Sequence, residues 1–118
     1  MEKPKKIKKQ KYPKDMDKEC IEFCNLFNTL GLKTKYSCCG HGNECYSIMF
    51  DETVSDLTIG GFIYDISDKK DHTPLVGGFY KWCRKIDDKL VCNWEYIVDN
   101  ITWAEIDLGT IKSILNLK

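Results

Sequence analysis

The sequence predicts an α+β domain in which helices pack on one face of an antiparallel sheet. Three observations lead to this fold class. Apolar residues between positions 16 and 30 recur every three or four positions, as in an amphipathic helix. Residues 78–86 and 90–98 alternate like two strands joined by a tight turn, and the last 15 or so residues return to helical spacing. With the segments between them, these patterns give the order α-β-β-α-β-β-α.

The first helix is expected to begin at Asp15 or Asp17, since either carboxylate can cap a helix, and to end near Leu30. Gly31 follows where a helix commonly ends in a left-handed residue. One apolar stripe runs along this helix, formed by Met16, Cys20, Phe23, Phe27 and Leu30, with Cys24 beside it. The stripe predicts which side of the helix is buried.

The next two strands are predicted as a hairpin around a loop at residues 39–44. In the first strand, alternation places Thr34, Tyr36 and Cys38 on one face. In the second strand, the inward residues are Tyr46, Ile48 and Phe50. Residues 51–53 have the composition of a helix start, so a second helix is expected to begin there.

The last hairpin turns at residues 87–88, and a two-residue turn fixes its register. This register places Cys83 opposite Cys92, where the thiols can touch and can form a disulfide under oxidation, or remain two ordinary sheet residues in a reducing compartment. It also sends Trp82 and Trp94 to opposite faces, so one of the two is expected in the core. A short strand or loop around Trp103 then leads to a final helix with Leu108, Ile111, Ile114 and Leu115 inward.

Length and charge predict a basic arm on an acidic domain. Of 118 residues, positions 1–14 hold seven lysines and one glutamate, a net charge of +6. Positions 15–118 hold 11 basic and 17 acidic residues, a net charge of −6. We therefore predict a flexible arm over 1–14 and a single domain over 15–118. In the arm, Lys5, Lys6, Lys8 and Lys9 can contact nucleic-acid phosphates, or the arm can simply be a solvated terminus.

Other features of the sequence predict an intracellular, cytoplasmic protein. No apolar run approaches the length of a membrane span, and the lysine-rich start lacks the apolar region of a signal peptide. Seven cysteines are present, two of them adjacent. An odd number without an export signal argues against a disulfide framework. Metal binding, buried thiols or a reactive thiol remain as roles for them.

Residues 34–42, Thr-Lys-Tyr-Ser-Cys-Cys-Gly-His-Gly, form the segment richest in reactive groups. Two glycines flank an imidazole, and their backbone N–H groups can curl around an anion, although loop geometry alone also explains glycines. We therefore predict a site for a polar, nucleotide-like ligand. Its expected ligand-binding residues are Ser37, Cys38, Gly40, His41 and Gly42.

The same segment can bind a metal. Cys38, His41 and Cys45 are natural zinc ligands, and Cys20 and Cys24 could complete a site if the first helix packs beneath the loop. Adjacent residues of an extended segment point in opposite directions, so only one of two neighbouring cysteines would take part. The alternative is that the two helical cysteines are small core residues.

The segment can also carry catalysis. Cys38 would be a nucleophile, or a metal ligand, and His41 three residues later its acid or base. A separate group of aromatic residues in the second half of the chain could stack bases if it were exposed, or else fill the core. This group consists of Tyr80, Trp82, Trp94, Tyr96 and Trp103.

Residues 34–41 fit the pattern T-x-x-S-C-x-G-H, between a helix with a Gly turn and a strand that ends in an aromatic residue before Asp51. In this arrangement the chain resembles small phage and bacterial proteins of unknown function. A more distant resemblance is to the wybutosine-synthesis methyltransferase family, which carries S-C-x-G-R after a similar strand. His41 replaces that arginine and no further glycine-rich cofactor loop is present, which argues against methyl transfer.

Three functions follow from these features. The first is a small phage-related binding protein that uses the Cys/His loop for a metal or a nucleotide-like ligand, while its lysines contact nucleic acid or an acidic partner. The second is a small enzyme acting on a nucleotide or nucleic acid. The third is an acidic inhibitor that blocks a host nucleic-acid-binding or defence protein, because a surface rich in carboxylates attracts basic proteins. A phage-encoded protein would act in the host cytoplasm.

Overall fold

The computed structural model describes residues 6–14, 16–40, 45–67 and 75–117, and it has the predicted α+β fold. Its order is the predicted α-β-β-α-β-β-α. The helices are α1 (Lys18–Thr29), α2 (Asp56–Ser67) and α3 (Ile101–Ile114). The strands are β1 (Thr34–Cys38), β2 (Tyr46–Phe50), β3 (Gly78–Ile86) and β4 (Lys89–Val98). Among the described helices, none is both long and apolar enough to cross a membrane.

The four strands form one antiparallel sheet in the order β1-β2-β4-β3, and aromatic rings join it to the helices. Phe27 of α1 lies edge-on to Phe50 of β2, with ring centroids 4.9 Å apart, and 6.0 Å from Phe62 of α2. Phe62 in turn meets Phe79 of β3. The predicted inward face of β2 is confirmed, since Tyr46, Ile48 and Phe50 are all buried. The core therefore lies between the helices and one face of the sheet.

The first helix begins directly after Asp17 and ends two residues before a left-handed glycine. Asp17 is the residue that precedes α1, but its side chain makes no capping hydrogen bond to the helix. Gly31 has φ +84°, as predicted for the position after the helix. Asp15, the other predicted cap, lies outside the described residues.

The predicted alternation in β1 is wrong because the strand is irregular at Lys35. The pairing with β2 shifts between Thr34 and Tyr36. Thr34 then lies opposite buried Phe50, and Ser37 opposite buried Ile48, so both face the helices. Tyr36 and Cys38 lie on the other face instead, opposite Met49 and Ser47. An extra residue in one strand shifts every later side chain to the opposite face, and alternation cannot reveal it.

Two predicted helix boundaries are also wrong. At residues 51–53, Asp51 Oδ2 accepts from the backbone N–H and hydroxyl of Thr53, which makes a local turn. The second helix begins only at Asp56, after Ser55 Oγ accepts from the N–H of Thr58. Trp103 is neither strand nor loop but part of α3. That helix begins at residue 101 because the Asn100 side chain accepts from the N–H of Trp103.

The β3–β4 hairpin has the predicted register. Asp87 and Asp88 both have positive φ, 48° and 64°, as a two-residue turn of this hand requires. Cys83 lies opposite Cys92, and the two are joined by a disulfide. Trp82 is 51% exposed, whereas Trp94 is on the helix side and half-buried, where Nε1 donates to Asp56 Oδ1 at 2.8 Å. The two tryptophans therefore do face opposite ways.

Part of the basic arm lies against α1. The N–H of Lys8 donates to Thr29 Oγ1 at 2.9 Å, and the N–H of Gln10 donates to Asn25 Oδ1 at 3.1 Å. Ile7 and Tyr12 pack against the edge of the core. The lysines at positions 6, 8 and 9 remain exposed, while Lys5 lies outside the described residues. The division into an arm and one domain, and nucleic-acid contact by these lysines, stay predictions.

Candidate functional site

The Cys/His segment joins the end of β1 to the start of β2. The structure places Ser37, Cys38 and Gly40 on one side of this connection and Cys45 on the other. His41 and Gly42, the other two predicted ligand-binding residues, lie outside the described residues. Their roles in ligand binding, metal binding and catalysis stay predictions.

Tight backbone geometry closes the described part of this loop. Gly40 is buried and has φ +79°, a conformation that residues with a Cβ rarely adopt. A Cβ there would lie 3.1 Å from the carbonyl oxygen of Cys45. The N–H of Gly40 also lies 3.4 Å from Cys38 Sγ, as a hydrogen-bond donor. Gly40 therefore has a structural reason to be glycine, independent of any ligand.

The predicted cysteine ligands lie on two sides of the sheet. Cys20 and Cys24 are buried on α1, while Cys38 is on the face away from the helices and Cys45 is exposed. Within residues 6–14, 16–40, 45–67 and 75–117, no group of three or more His, Cys, Asp or Glu side chains is arranged to hold a metal. Zinc binding by Cys38, His41 and Cys45 stays a prediction, since His41 is beyond those ranges.

The two helical thiols are neutral at physiological pH. Burial raises the pKa of Cys20 to about 11, although the hydroxyls of Tyr46 and Ser37 beside it act in the opposite direction. Burial also raises the pKa of Cys24, despite its contacts with Thr34 and Ser37. A protonated thiol is a poor nucleophile, so these cysteines behave as core residues.

Beside this loop lies a groove of about 530 Å³, which we call the arm groove. It is bounded by the end of the basic arm, by α1 and by β1. Its lining residues are Gln10, Lys11, Tyr12, Pro13, Met16, Cys24, Asn28, Lys33, Thr34, Lys35, Tyr36 and Ser37. Three of them are lysines, of which Lys35 pairs with Glu52 outside the lining, and none is an aspartate or glutamate, so the lining itself carries only positive charge.

A chain of hydrogen bonds holds the polar wall of the arm groove. The Tyr12 hydroxyl donates to Asn25 Oδ1 at 2.8 Å and accepts from Asn28 Nδ2 at 3.2 Å. Asn28 also bonds Thr34 twice: Oδ1 accepts from the Thr34 N–H, and Nδ2 donates to the Thr34 hydroxyl at 3.0 Å. Burial raises the pKa of Tyr12, so its phenol stays protonated. The arm, α1 and β1 are thus locked together.

The rim of the arm groove carries a cation and an aromatic ring. Lys35 Nζ pairs with Glu52 Oε2 at 2.9 Å, and this contact raises the lysine pKa, which keeps it charged. The same ammonium lies 5.8 Å from the centroid of the Tyr36 ring. Tyr36 is 65% exposed and is free to meet a ligand from outside.

The sequence did not reveal this groove. Its walls come from three separate segments, and Tyr12 and Asn28 became neighbours only because the arm packs on the helix. The one available signal was the pair Asn25 and Asn28, two polar residues beside the apolar stripe of α1. Of the predicted ligand-binding residues, Ser37 lines the groove.

A second buried polar cluster is centred on Asp107 of α3. Its Oδ1 accepts from the N–H of Val76, and its Oδ2 accepts from the N–H of Gly77, both at 2.7 Å. The Tyr96 hydroxyl donates to Oδ2 at 2.6 Å. Burial and the adjacent carboxylate raise the pKa of Tyr96, so it remains a donor. Both carboxylate oxygens accept from groups of the fold itself, so this cluster ties α3 to the sheet.

Fold and groove together define a small α+β protein with a lysine-lined groove at one edge of its sheet. The chain belongs to the YoqC prophage protein family, whose model matches residues 5–115. It is therefore a phage-related protein, which confirms that part of the expectation from resemblance. The family match by itself supports neither the likeness based on the T-x-x-S-C-x-G-H pattern nor the methyltransferase likeness. No curated protein and no solved structure matches the chain.

Proposed function

We propose that this phage-related protein is a binding module that holds a small anionic ligand of the nucleotide class in the arm groove. The single observation that carries the proposal is the composition of the groove wall: three lysines, hydrogen-bonding side chains and an exposed ring, with no carboxylate. Residues 15–118 carry a net charge of −6, so the lysines that line the groove are opposite in sign to the domain around them.

The three lysines set the sign of the ligand. Lys11 comes from the arm, whereas Lys33 and Lys35 flank Thr34 at the start of β1, so the charges approach the groove from two sides. An ammonium group is a compact donor of three hydrogen bonds and a common partner of phosphate. A phosphate-bearing molecule therefore fits better than a neutral one or a cation.

Tyr36 supplies the means to recognise a base. Its exposed ring at the rim gives a flat apolar surface on which a nucleobase can stack. Ser37 connects the groove to the predicted ligand loop at residues 37–42, whose part in binding the phosphate stays a prediction. The ligand would then lie with its base at Tyr36 and its phosphate toward the lysines.

Recognition without turnover fits the groove better than catalysis. Cys24 is the one cysteine among the groove-lining residues of the described chain, and burial raises its pKa, which keeps the thiol protonated. No base in the described wall is placed to activate it. Catalysis by Cys38 and His41 stays a separate prediction, as does zinc binding at Cys38, His41 and Cys45.

Isothermal titration calorimetry with AMP, GMP, CMP and UMP, and with inorganic phosphate and adenosine, tests the proposal. We expect at least one mononucleotide to bind more tightly than either phosphate or nucleoside alone. Lys11→Gln and Lys33→Gln should each weaken that binding, whereas Lys89→Gln, at the far end of the sheet, should not. Heat from no mononucleotide, or an equal loss in all three variants, would refute it.

The stacking role has its own matched control. Tyr36→Ala should weaken mononucleotide binding by about 5- to 150-fold, the range for loss of one base–aromatic stack. Tyr64, on α2, has nearly the same exposure, 68% against 65%. Tyr64→Ala should therefore leave the affinity unchanged, and a similar effect from both changes would show that Tyr36 has no special part.

A further inference from the structure

We infer that a second site, independent of the arm groove, lies on the open face of the sheet and binds single-stranded nucleic acid. It is built on three successive outward residues of β3, Tyr80, Trp82 and Arg84, which we call the β3 row. The face is open because the described helices contact the other side: Phe62 of α2 meets Phe79, and Asp107 of α3 bonds Tyr96. Residues at every second position of β3 point away from them.

The rings of the β3 row are exposed. Tyr80 is 50% exposed and Trp82 is 51% exposed, values far above those of the core aromatics. Side chains two apart on a strand are about 7 Å apart, which leaves room for a base on each ring when the strand of nucleic acid is extended. Four-stranded sheets with helices behind and aromatics in front are a known way of stacking RNA bases.

Cross-strand hydrogen bonds hold two members of the β3 row over the sheet. Trp82 Nε1 donates to Glu95 Oε1 of β4 at 2.9 Å. The indole of Trp82 is therefore tied to β4 while half of the side chain stays exposed. Arg84 Nη1 donates to Oδ1 of the buried Asn93 at 2.7 Å, which fixes the guanidinium beside it. Side chains that are already ordered lose little conformational entropy on binding, so the entropic cost of binding at Trp82 and Arg84 is small.

Charge selects the occupant. Arg84 is the cation of the β3 row, whereas Lys81 and Lys85 lie at the alternate positions on the helix side, where they pair with Asp56 and Asp88. Residues 78–98 hold four basic and three acidic residues, a net charge of +1, within residues 15–118 whose net charge is −6. Glu95 is the carboxylate beside the rings, and its oxygen is engaged by the indole. Two exposed rings followed by a guanidinium favour a strand that carries flat bases and phosphates over an apolar partner.

A second copy of the chain fits this edge poorly. If two β3 strands paired antiparallel about Cys83, Lys81 of each would lie opposite Lys85 of the other. Like charges directly opposite one another are destabilising. Exposed lysines on an edge strand are also a common protection against such pairing. The charge pattern therefore disfavours self-association through β3.

Fluorescence anisotropy of labelled dT12 and rU12, at 50 and 200 mM salt, tests this inference on the full chain. We expect both oligonucleotides to bind, with a loss of about 5- to 150-fold, or about 1–3 kcal/mol, in Trp82→Ala and in Tyr80→Ala. Trp82→Phe keeps a stacking ring and should stay within a few-fold of the original protein. Tyr64→Ala should not change the affinity, and Trp82→Ala and Tyr80→Ala should leave mononucleotide binding in the arm groove unchanged, which separates the two sites.

Three outcomes would overturn the inference. One is no oligonucleotide binding at 50 mM salt. Another is oligonucleotide binding that neither Trp82→Ala nor Tyr80→Ala changes. If the combined variant Lys5→Gln, Lys6→Gln, Lys8→Gln and Lys9→Gln then abolished this binding, the site would lie in the arm. The last is displacement of dT12 by duplex DNA or poly-glutamate at equal charge concentration. This would show that the surface binds anions or acidic proteins in general and does not select single-stranded nucleic acid. Thermal melting of each variant confirms that it is folded.

Discussion

Asp17 and Cys39 are joined by a hydrogen bond from the Cys39 backbone N–H to Asp17 Oδ2, at 3.0 Å. The residue that precedes α1 is thus tied to the loop that follows β1, 22 positions later. Its side chain makes no capping bond to the helix. A short polar residue that the sequence assigned to helix capping instead fixes the start of the Cys/His loop against α1.

Asp17→Ala should lower the free energy of unfolding by about 1–3 kcal/mol, since a charged acceptor of a partly buried backbone N–H is lost. Asp17→Asn retains an acceptor oxygen and should lose less. Urea unfolding followed by circular dichroism measures both. Asp99 is an exposed control, and Asp99→Ala should change stability by no more than about 0.5 kcal/mol. Equal effects at positions 17 and 99 would show that the link is unimportant.

Gly40 and Gly31 form a matched pair, since both have positive φ, 79° and 84°. Gly31→Ala meets nothing within 4 Å, so it should cost only the left-handed conformation, roughly 1–2 kcal/mol. Gly40→Ala adds a contact 3.1 Å from the Cys45 carbonyl oxygen and should cost more. Denaturant midpoints of the two variants decide the order, and the reverse order would contradict the described loop geometry.

Replacement of Asp107 should lower the free energy of unfolding through its bonds to Val76, Gly77 and Tyr96. Asp107→Asn turns an amide N–H₂ toward donors and should cost about 2–4 kcal/mol, while Tyr96→Phe removes one of these bonds and should cost about 1–3 kcal/mol. Because the two groups share a bond, the double variant should lose less than the sum. Strictly additive losses in urea unfolding would mean that the hydroxyl does not stabilise the carboxylate.

The buried Cys20 thiol predicts a pH effect. Its pKa in the folded protein, about 11, exceeds the ordinary value of 9.0, so it favours the folded state below pH 9 and loses that contribution as pH rises toward 11. Stability should therefore fall across this window, and less steeply in Cys20→Ala. Iodoacetamide at pH 8 should label exposed Cys45 well before Cys20. Equal labelling rates, or identical pH slopes, would contradict the burial of this thiol.

Local sequence patterns predicted the features that depend on residues close together in the sequence. The Asp87-Asp88 turn and strict alternation gave the β3–β4 register, including Cys83 opposite Cys92. The stripe of α1 gave its buried side, and the alternation of β2 gave its inward residues. Each of these depends on a period or a turn that a short window contains.

Features that arise from tertiary packing could not be predicted in this way. The irregularity at Lys35 moved Cys38 to the face opposite Cys20 and Cys24, which alternation would not show. The arm groove forms only because the arm lies on α1. The net charge of the arm does not indicate that Tyr12 bonds Asn25. Asp107 resembled any acidic residue on a helix surface until Val76, Gly77 and Tyr96 were placed around it.

Binding of a nucleotide-like anion in the arm groove can be mapped residue by residue in an NMR titration of the isotope-labelled protein with AMP and GMP. We expect saturable shifts of backbone amides concentrated at residues 10–12, 28 and 33–37, with the amides of residues 83–92 at the far end of the sheet unmoved. Lys33→Gln should raise the concentration needed for half-saturation. Shifts centred anywhere outside the groove, or none at millimolar nucleotide, would show that the arm groove is not a nucleotide site.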